Sequence, residues 1–207
     1  RLLVIGAGEK GNGTDELWDQ KSFDIHGIDI YYSETVDLIC DAHYLPLKAN
    51  FYHGVLIQAV LEHVVEPTKV VAEINRVLRE GGLVYAETPF MQQVHEGAYD
   101  FTRFTVLGHR YLFRDFEQID IGGNGSSEIV LSWSVKYFFW SLFKNKKVGT
   151  LAGLLTLLML LPFKRLISKQ SLHDSSSGVY FLGRASKNFK RIQHRELPKL
   201  YKGLQKI

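Results

Sequence analysis

The sequence predicts an α/β fold: a doubly wound, mostly parallel seven-stranded sheet with helices on both faces and an apolar helical insertion before the last strand. Three observations predict it. Short apolar runs alternate with helical segments, which implies right-handed crossovers and a covered sheet. A glycine-rich turn follows the first run, and a long uncharged stretch separates the last two strand candidates.

Residues 2–5, "LLVI", are an apolar run ended by glycines, the pattern of a buried parallel strand. Thr14 suits the N-cap of a short helix with Asp15 and Glu16 in its first turn. "FDIHGIDI", 23–30, reads as a second strand closing on Asp29, and "VDLIC", 36–40, as a third before Asp41. "YHGVLIQ", 52–58, is the fourth. "PTKVVAEINRVLREGG", 67–82, carries apolar residues at 70, 71, 74, 77 and 78, one helical face, opened by Pro67 and closed by Gly81. "LVYAETP", 83–89, is the fifth strand. A helix follows over 104–114, then strands over 116–121 and 178–185. The expected division is 1–121 with 178–186 as the sheet domain, 122–177 as the insertion and 187–207 as a tail.

The chain's net charge is +3, but seven Lys/Arg against one acid lie in residues 187–207. The body is therefore mildly acidic and the tail basic, read as a solvated terminus. An acidic body speaks against nucleic acid as a partner. Cys40 is the single cysteine, which excludes an internal disulfide and suits a reducing cytoplasm. The chain opens at Arg1 inside an apolar run, the pattern of a segment cut from something longer. No metal is expected.

The stretch "VIGAGEKGNG", 4–13, contains Gly6, Gly8 and Gly11 in a G-x-G-x-x-G. Such glycines let backbone approach a ligand, and the helix behind them offers free N–H groups. Asp29 lies 18 residues beyond Gly11, where a carboxylate accepts ribose hydroxyls. Loop and acid together indicate an adenosine ligand and suit a nicotinamide dinucleotide as well. Glu9, Asp15 and Glu16 against Lys10 favour a cationic ligand over a pyrophosphate.

The ordered set "CDAHYLPL" (40–47), "VLIQAVLEHVVEP" (55–67) and "EINRVLREGGLVYAETP" (73–89) resembles class I S-adenosylmethionine-dependent methyltransferases, in particular the small-molecule, type 11-like branch with its Rossmann-like fold. The resemblance runs from about Leu2 to Phe116. It implies S-adenosylmethionine as cofactor. It places Gly6, Gly8 and Gly11 around the methionine moiety and Asp29 on the ribose hydroxyls. Ile30 would pack on the adenine, Asp41 would accept from its amino group with Ala42 giving backbone contact, and Gln58 would line the floor near the sulfonium. The family usually has an acidic residue two positions before the first glycine; here it is Val4. A nicotinamide-dependent oxidoreductase and a non-catalytic binding module that keeps the fold are the competing readings.

In doubly wound sheets the ligand lies beyond the carboxyl ends of the strands. The loop after the fifth strand, "TPFMQQVHEGAYDFTRFT", 88–105, therefore meets the methyl acceptor. His95 is its candidate base, because imidazole titrates near neutrality. Arg103 is the candidate anion binder and Tyr99 the candidate group orienting a hydroxyl. The competing reading makes the loop a packed cover, with Asp100 and Arg103 as an i,i+3 pair. His63 in the L-E-H turn is a second candidate, and His109 is expected on a helix surface. The expected reaction is methylation of a small or amphiphilic acceptor, at oxygen.

The run 148–163 is uncharged over sixteen residues, about 24 Å of helix, short of a ~30 Å hydrocarbon core. Lys144, Lys146 and Lys147 precede it; Lys164 and Arg165 follow it. Three roles stand: a helix buried against the rest of the insertion or in a homodimer, a peripheral membrane contact, and a spanning helix. A cytoplasmic, membrane-associated enzyme with a lipid-like acceptor follows from the second.

Overall fold

The computed structural model describes residues 1–11 and 13–205; Lys206 and Ile207, the end of the basic tail, lie outside them. Seven strands form one sheet in the order β3-β2-β1-β4-β5-β7-β6. They are β1 (Leu2–Ile5), β2 (Ile25–Asp29), β3 (Leu38–Ile39), β4 (Tyr52–Gln58), β5 (Leu78–Pro89), β6 (Glu117–Asn124) and β7 (Gly178–Arg184). The first five pair in parallel; β7 enters antiparallel between β5 and β6. This agrees with the doubly wound fold read from the sequence.

Helix α1 (Asp15–Asp19) begins at Thr14, but the threonine does not cap it: its hydroxyl donates to the Gly11 carbonyl at 2.6 Å. Helix α2 (Pro67–Val77) buries Val70, Val71, Ile74 and Val77 against the sheet. It ends four residues before Gly81. Leu78 turns extended and pairs with Tyr52 at the start of β5, where it is fully buried, so burial beside the sheet overrides the glycine stop signal. Helix α3 (Val106–Leu112) is capped by Thr105, whose hydroxyl accepts from the Gly108 N–H. Behind it, Phe113, Phe116 and Phe181 stack in the core, Phe113 and Phe181 at 4.7 Å between centroids.

Arg110 is also fully buried, and its guanidinium donates to the carbonyls of Phe113 and Phe116 and to the Gln118 side chain. It satisfies the carbonyls of the turn that follows α3 and, through Gln118, ties the helix to β6. His109 is not on the helix surface as expected. It is 1% exposed, edge-on to Phe113 and against Phe104. Burial drives its pKa down to about 3, so it is held neutral.

The insertion is an antiparallel helical hairpin, α4 (Ser127–Phe143) and α5 (Lys146–Leu160), continued by a 3₁₀ turn over Leu161–Leu166. Lys144 adopts φ 51° at the bend, and the Asn145 side chain caps α5 by accepting from the N–H groups of Lys147 and Val148. Gly149 and Gly153 let the helices meet: a Cβ on Gly149 would lie 2.4 Å from the Lys136 carbonyl oxygen. Ser132 donates to the Gly153 carbonyl across the seam. Only these two glycines of α5 are buried; Leu151, Leu154, Leu155, Leu158 and Met159 are each more than half exposed. The buried-helix expectation therefore holds along one seam and fails on the outer face. The apolar helical stretch is also longer than the charge count suggested, running Lys146–Leu166, long and apolar enough to cross a membrane by length and composition. A four-residue helix, α6 (Leu172–Ser175), returns the chain to β7.

The described part of the basic tail, 187–205, is mostly exposed, as expected, and is tied back to the body. Arg191 pairs with Asp115, Ile192 donates to the Arg114 carbonyl, and the Tyr201 hydroxyl donates to Asp174 at 2.6 Å.

The unfolded chain protonates His109 near the ordinary value of about 6.5, whereas the folded chain resists to about 3. The unfolded state thus binds more protons in this window, and stability falls as pH drops through it, by at most about 1.4 kcal/mol per unit from this residue. The parent's urea midpoint is expected to fall more steeply than that of His109→Leu between pH 7 and pH 5, because the variant lacks this slope.

Candidate functional site

Strands β1, β2, β4 and β5 all end at one sheet edge, and a cleft runs along it in two adjoining lobes. The smaller, about 270 Å³, is lined by Ile28, Asp29, Ile30, Asp41, Ala42 and Tyr99 among others. The larger, about 840 Å³, takes in Gly11, Gln58, Glu62, Glu87, His95, Asn124 and Trp133. Gly6, Ala59, His63 and Glu96 line both, so the lobes meet over the end of β1.

The glycine turn is built around side chains beneath it. Gly6 has φ 81°, and a Cβ there would lie 2.1 Å from Val60. At Gly11 a Cβ would lie 1.9 Å from the Gln58 side-chain oxygen. The Gly8 N–H donates to Asp29 Oδ2 at 2.8 Å, and the Tyr31 N–H donates to Asp29 Oδ1. Asp29 therefore organises the loop from the next strand. Val4 is 5% exposed, in an apolar cluster with Ala7 and Leu56, and the loop needs no acid at that position. Each Asp29 oxygen retains a lone pair for a sugar hydroxyl. Asp41 accepts from the His43 N–H, which holds its carboxyl below the usual range while leaving it at the lobe wall.

The loop after β5 has a different architecture from the one expected. Arg103 does not face the cleft. All five of its N–H donors are used: on both Asp100 oxygens and on the carbonyls of Gln92, Gln93 and Thr102. It is a clamp that shapes the loop, as the packed-cover reading had it, and has no donor left for an anionic acceptor. Asp100, bonded first of all to Arg103, is held down at about 2. Tyr99 lines the smaller lobe with Asp41 and Ala42 and is not part of the larger lobe's wall.

His95 does reach the larger lobe. Its Nδ1 lies 3.2 Å from Asp100 Oδ2, and its backbone N–H donates to the same oxygen. His63 Nδ1 lies 2.7 Å from the Tyr99 carbonyl oxygen. A carbonyl only accepts, and an ionised carboxylate only accepts, so Nδ1 carries a proton in both rings, and in the neutral tautomer the lone pair is at Nε2. The two rings stand edge to face, 4.9 Å apart.

Between them lies Glu62, the residue the sequence reading missed. Its side chain is fully buried, with Oε1 3.6 Å from His63 Nε2 and 3.9 Å from His95 Nε2. No donor from another described residue bonds either oxygen. Burial raises its pKa to about 7, offset in part by its own backbone N–H and by His63 and Arg103. Glu62 sits in the same L-E-H turn that drew attention to His63; its adjacency to a histidine was the available signal. Contrary to the expectation of no metal site, Glu62, His63 and His95 bring three ligand-type atoms within 4.8 Å of one another. Glu87 was missed too. It accepts from Gln58 at 2.6 Å, from Asn124 at 2.8 Å and from the Tyr85 hydroxyl, fixing the floor of the larger lobe.

Strand order and the position of the cleft are those of a Rossmann-like fold. Residues 3–86 match the family model described as a methyltransferase domain. The resemblance to class I S-adenosylmethionine-dependent methyltransferases thus holds over that part of the chain. Solved structures share the fold at low identity. One is a candidate methyltransferase of Haloferax volcanii complexed with the activator Trm112 (15% identity, 92% of this chain and 83% of that one, TM-score 0.58). A second is a candidate sarcosine dimethylglycine methyltransferase from Galdieria sulphuraria (15%, 91% and 78%, 0.56). A third, the cyclase SpnF (15%, 89% and 75%, 0.52), carries a different chemistry on the same fold. No curated protein sequence matches.

Replacing Arg103 leaves a buried carboxylate and three carbonyls without their donor. Arg103→Met is expected to lower stability by about 2–3 kcal/mol. Hydrogen exchange should rise over 92–103, with the β-sheet amides still protected.

Proposed function

We propose that this protein is an S-adenosylmethionine-dependent methyltransferase acting at oxygen on a small or amphiphilic, hydroxyl-bearing acceptor. The observation that supports it best is the two-lobed cleft. One lobe is walled by Asp29, Ile30, Asp41 and Ala42, and the other is lined by acids and imidazoles, with a side-chain-free turn at Gly6 where they join. Added side chains at Gly6 and Gly11 would strike Val60 and Gln58, so the turn has room only for bare backbone beside a ligand.

Asp29 would hold the ribose, Ile30 would cover the adenine, and the carboxylates of Glu9, Glu87 and Glu96 suit a cationic methionine moiety better than a pyrophosphate. Bound there, S-adenosylmethionine supplies an electrophilic methyl group: the acceptor oxygen forms the new O–C bond, the C–S bond electrons stay on sulfur, and the hydroxyl proton leaves to solvent. The residues' own task is positioning, which supplies up to about 7–11 kcal/mol in favourable cases. Gln58, fixed by Glu87, sets the floor. Nε2 of His63 and of His95 would accept a hydrogen bond from the acceptor hydroxyl. Trp133 of α4 narrows the outer wall, and the Tyr137 hydroxyl donates to the Val94 carbonyl, pinning the hairpin on the acceptor loop.

That attachment supports an amphiphilic acceptor. The same hairpin carries an exposed apolar face with Lys144, Lys146 and Lys147 at one end and Lys164 and Arg165 at the other. Leu and Phe beside lysines suit the surface of an anionic bilayer, from which a lipid-like acceptor could enter the larger lobe. We place the protein at the cytoplasmic side of such a surface.

Calorimetry is expected to show S-adenosylhomocysteine binding and no NADH binding. Asp29→Ala should weaken the former about 10–100-fold, the loss of one or two hydrogen bonds to a charged group. NADH binding in place of S-adenosylhomocysteine would reject the reading. Co-sedimentation with phosphatidylglycerol vesicles should be lost in Leu154→Glu/Leu158→Glu. A parent protein that ignores vesicles but sediments as a dimer, and as a monomer when so substituted, would assign the face to a second copy instead.

A further inference from the structure

We infer that Glu62, His63 and His95 form a binding site for a divalent first-row transition-metal ion, open to the larger lobe of the cleft. Three independent features of the cluster point to an ion. The first is the donor set. Two imidazole nitrogens and one carboxylate are the ligands of catalytic zinc and non-haem iron sites, whereas Mg²⁺ and Ca²⁺ take oxygen ligands. The second is spacing. A tetrahedral ion with bonds of about 2.0–2.1 Å sets its ligand atoms about 3.3 Å apart. Here Glu62 Oε1 lies 3.6 and 3.9 Å from the two Nε2 atoms, and all three fall within 4.8 Å. Small side-chain adjustments close that gap.

The third is the surrounding shell. Metal-bound histidines as a rule donate their other N–H to a carbonyl or carboxylate, which fixes tautomer and ring orientation. His63 does so to the Tyr99 carbonyl and His95 to Asp100, which Arg103 in turn holds. Both free lone pairs therefore point at one place. Glu62, fully buried, aims a carboxylate there that no other described residue satisfies. A carboxylate kept in that state is costly unless something cationic completes it. The charged groups around the cluster are the Asp100–Arg103 pair, which neutralise each other, and Glu9, Lys10, Glu87 and Glu96 of the lobe wall, a net negative set that favours a cation.

The three ligands leave at least one coordination position toward the lobe, the mark of a catalytic rather than a closed structural site. The role follows from the proposed methyl transfer and rests on that reading. An ion there takes the acceptor's hydroxyl oxygen and lowers its pKa, so the proton departs to solvent near neutral pH before the oxygen is methylated. The acceptor would then be a hydroxyl compound that can coordinate, and with the ion bound Nε2 of His63 and of His95 serve the ion in place of a direct hydrogen bond from the hydroxyl.

The test uses tag-free full-length protein stripped with chelator, titrated with Zn²⁺ by calorimetry and with Co²⁺ by visible absorption. One Zn²⁺ is expected per chain with Kd at or below about 10 µM, and Mg²⁺ is expected not to bind. Glu62→Gln, His63→Ala and His95→Ala should each weaken Zn²⁺ at least about 100-fold and abolish the Co²⁺ bands. Asp100→Asn should weaken it about 10–100-fold through His95. His53→Ala, an exposed histidine elsewhere, should leave it unchanged. Zn²⁺ binding that is absent, or that survives all three ligand substitutions, overturns the site. S-adenosylhomocysteine affinity is measured on each sample: intact nucleoside binding with no Zn²⁺ site rejects only the metal, and a Zn²⁺ site without nucleoside binding rejects only the methyl-transfer reading.

Discussion

At the end of β1 the chain must turn sharply out of the sheet while leaving room above it. Gly6 does this at φ 81°, over Val60, with no side chain to fill the space. Everything functional is arranged about that vacancy in the backbone's steric field. The turn is not self-supporting; the Asp29 carboxylate on the neighbouring strand holds the Gly8 N–H, and the Ile28 carbonyl accepts from Gly6 and Ala7. Parallel pairing of β1 with β2 and β4 delivers Asp29 and Gln58 to the same edge. The acid proposed to hold the ribose is thus also the one that organises the loop, which does without an acid at Val4.

The second constraint is the treatment of charge in the loop after β5. Arg103 spends every donor inside the loop, so Asp100 stays ionised, and Asp100 orients His95. Rigidity passes from a buried ion pair to an imidazole at the cleft. Ala59 bears strain at the junction: it sits at φ 53°, a region that costs a residue with a Cβ roughly 1–2 kcal/mol, between Gln58 and Val60. Strain of this sort persists where the surrounding structure over-determines it, and here the Ala59 N–H is held by the Glu87 carbonyl.

The hairpin couples the cleft to the outside of the molecule. Its inner helix contributes Trp133 to the larger lobe and bonds the acceptor loop through Tyr137 and Ser134. Its outer helix meets the inner one through two glycines and turns its leucines outward. A perturbation of the apolar face would therefore be felt one helix away from the larger lobe.

Periodicity and punctuation were enough to read the doubly wound sheet, the strand ends at Asp29 and Gln58, and the glycine turn, because these follow from local patterns of burial along the chain. The same local evidence misjudged α2 and His109. The end of α2 is decided by Leu78 finding a buried place beside Tyr52, and His109 is buried by aromatic neighbours from its own helix and the loops beside it. Arg103 looked like an anion binder because a free guanidinium is one; its partners include the carbonyls of Gln92 and Gln93, ten or eleven residues earlier, which only the folded loop brings close. Glu62 was hidden for the same reason. In sequence it is one acid beside one histidine, and it becomes a three-ligand cluster only when the β5 loop folds back and sets His95 3.9 Å away. Sequence alone therefore determined the sheet, its direction and the edge where chemistry belongs, since hydrophobic spacing encodes burial. Tertiary structure decided which polar groups face one another there, since convergence of side chains from distant segments leaves no periodic trace.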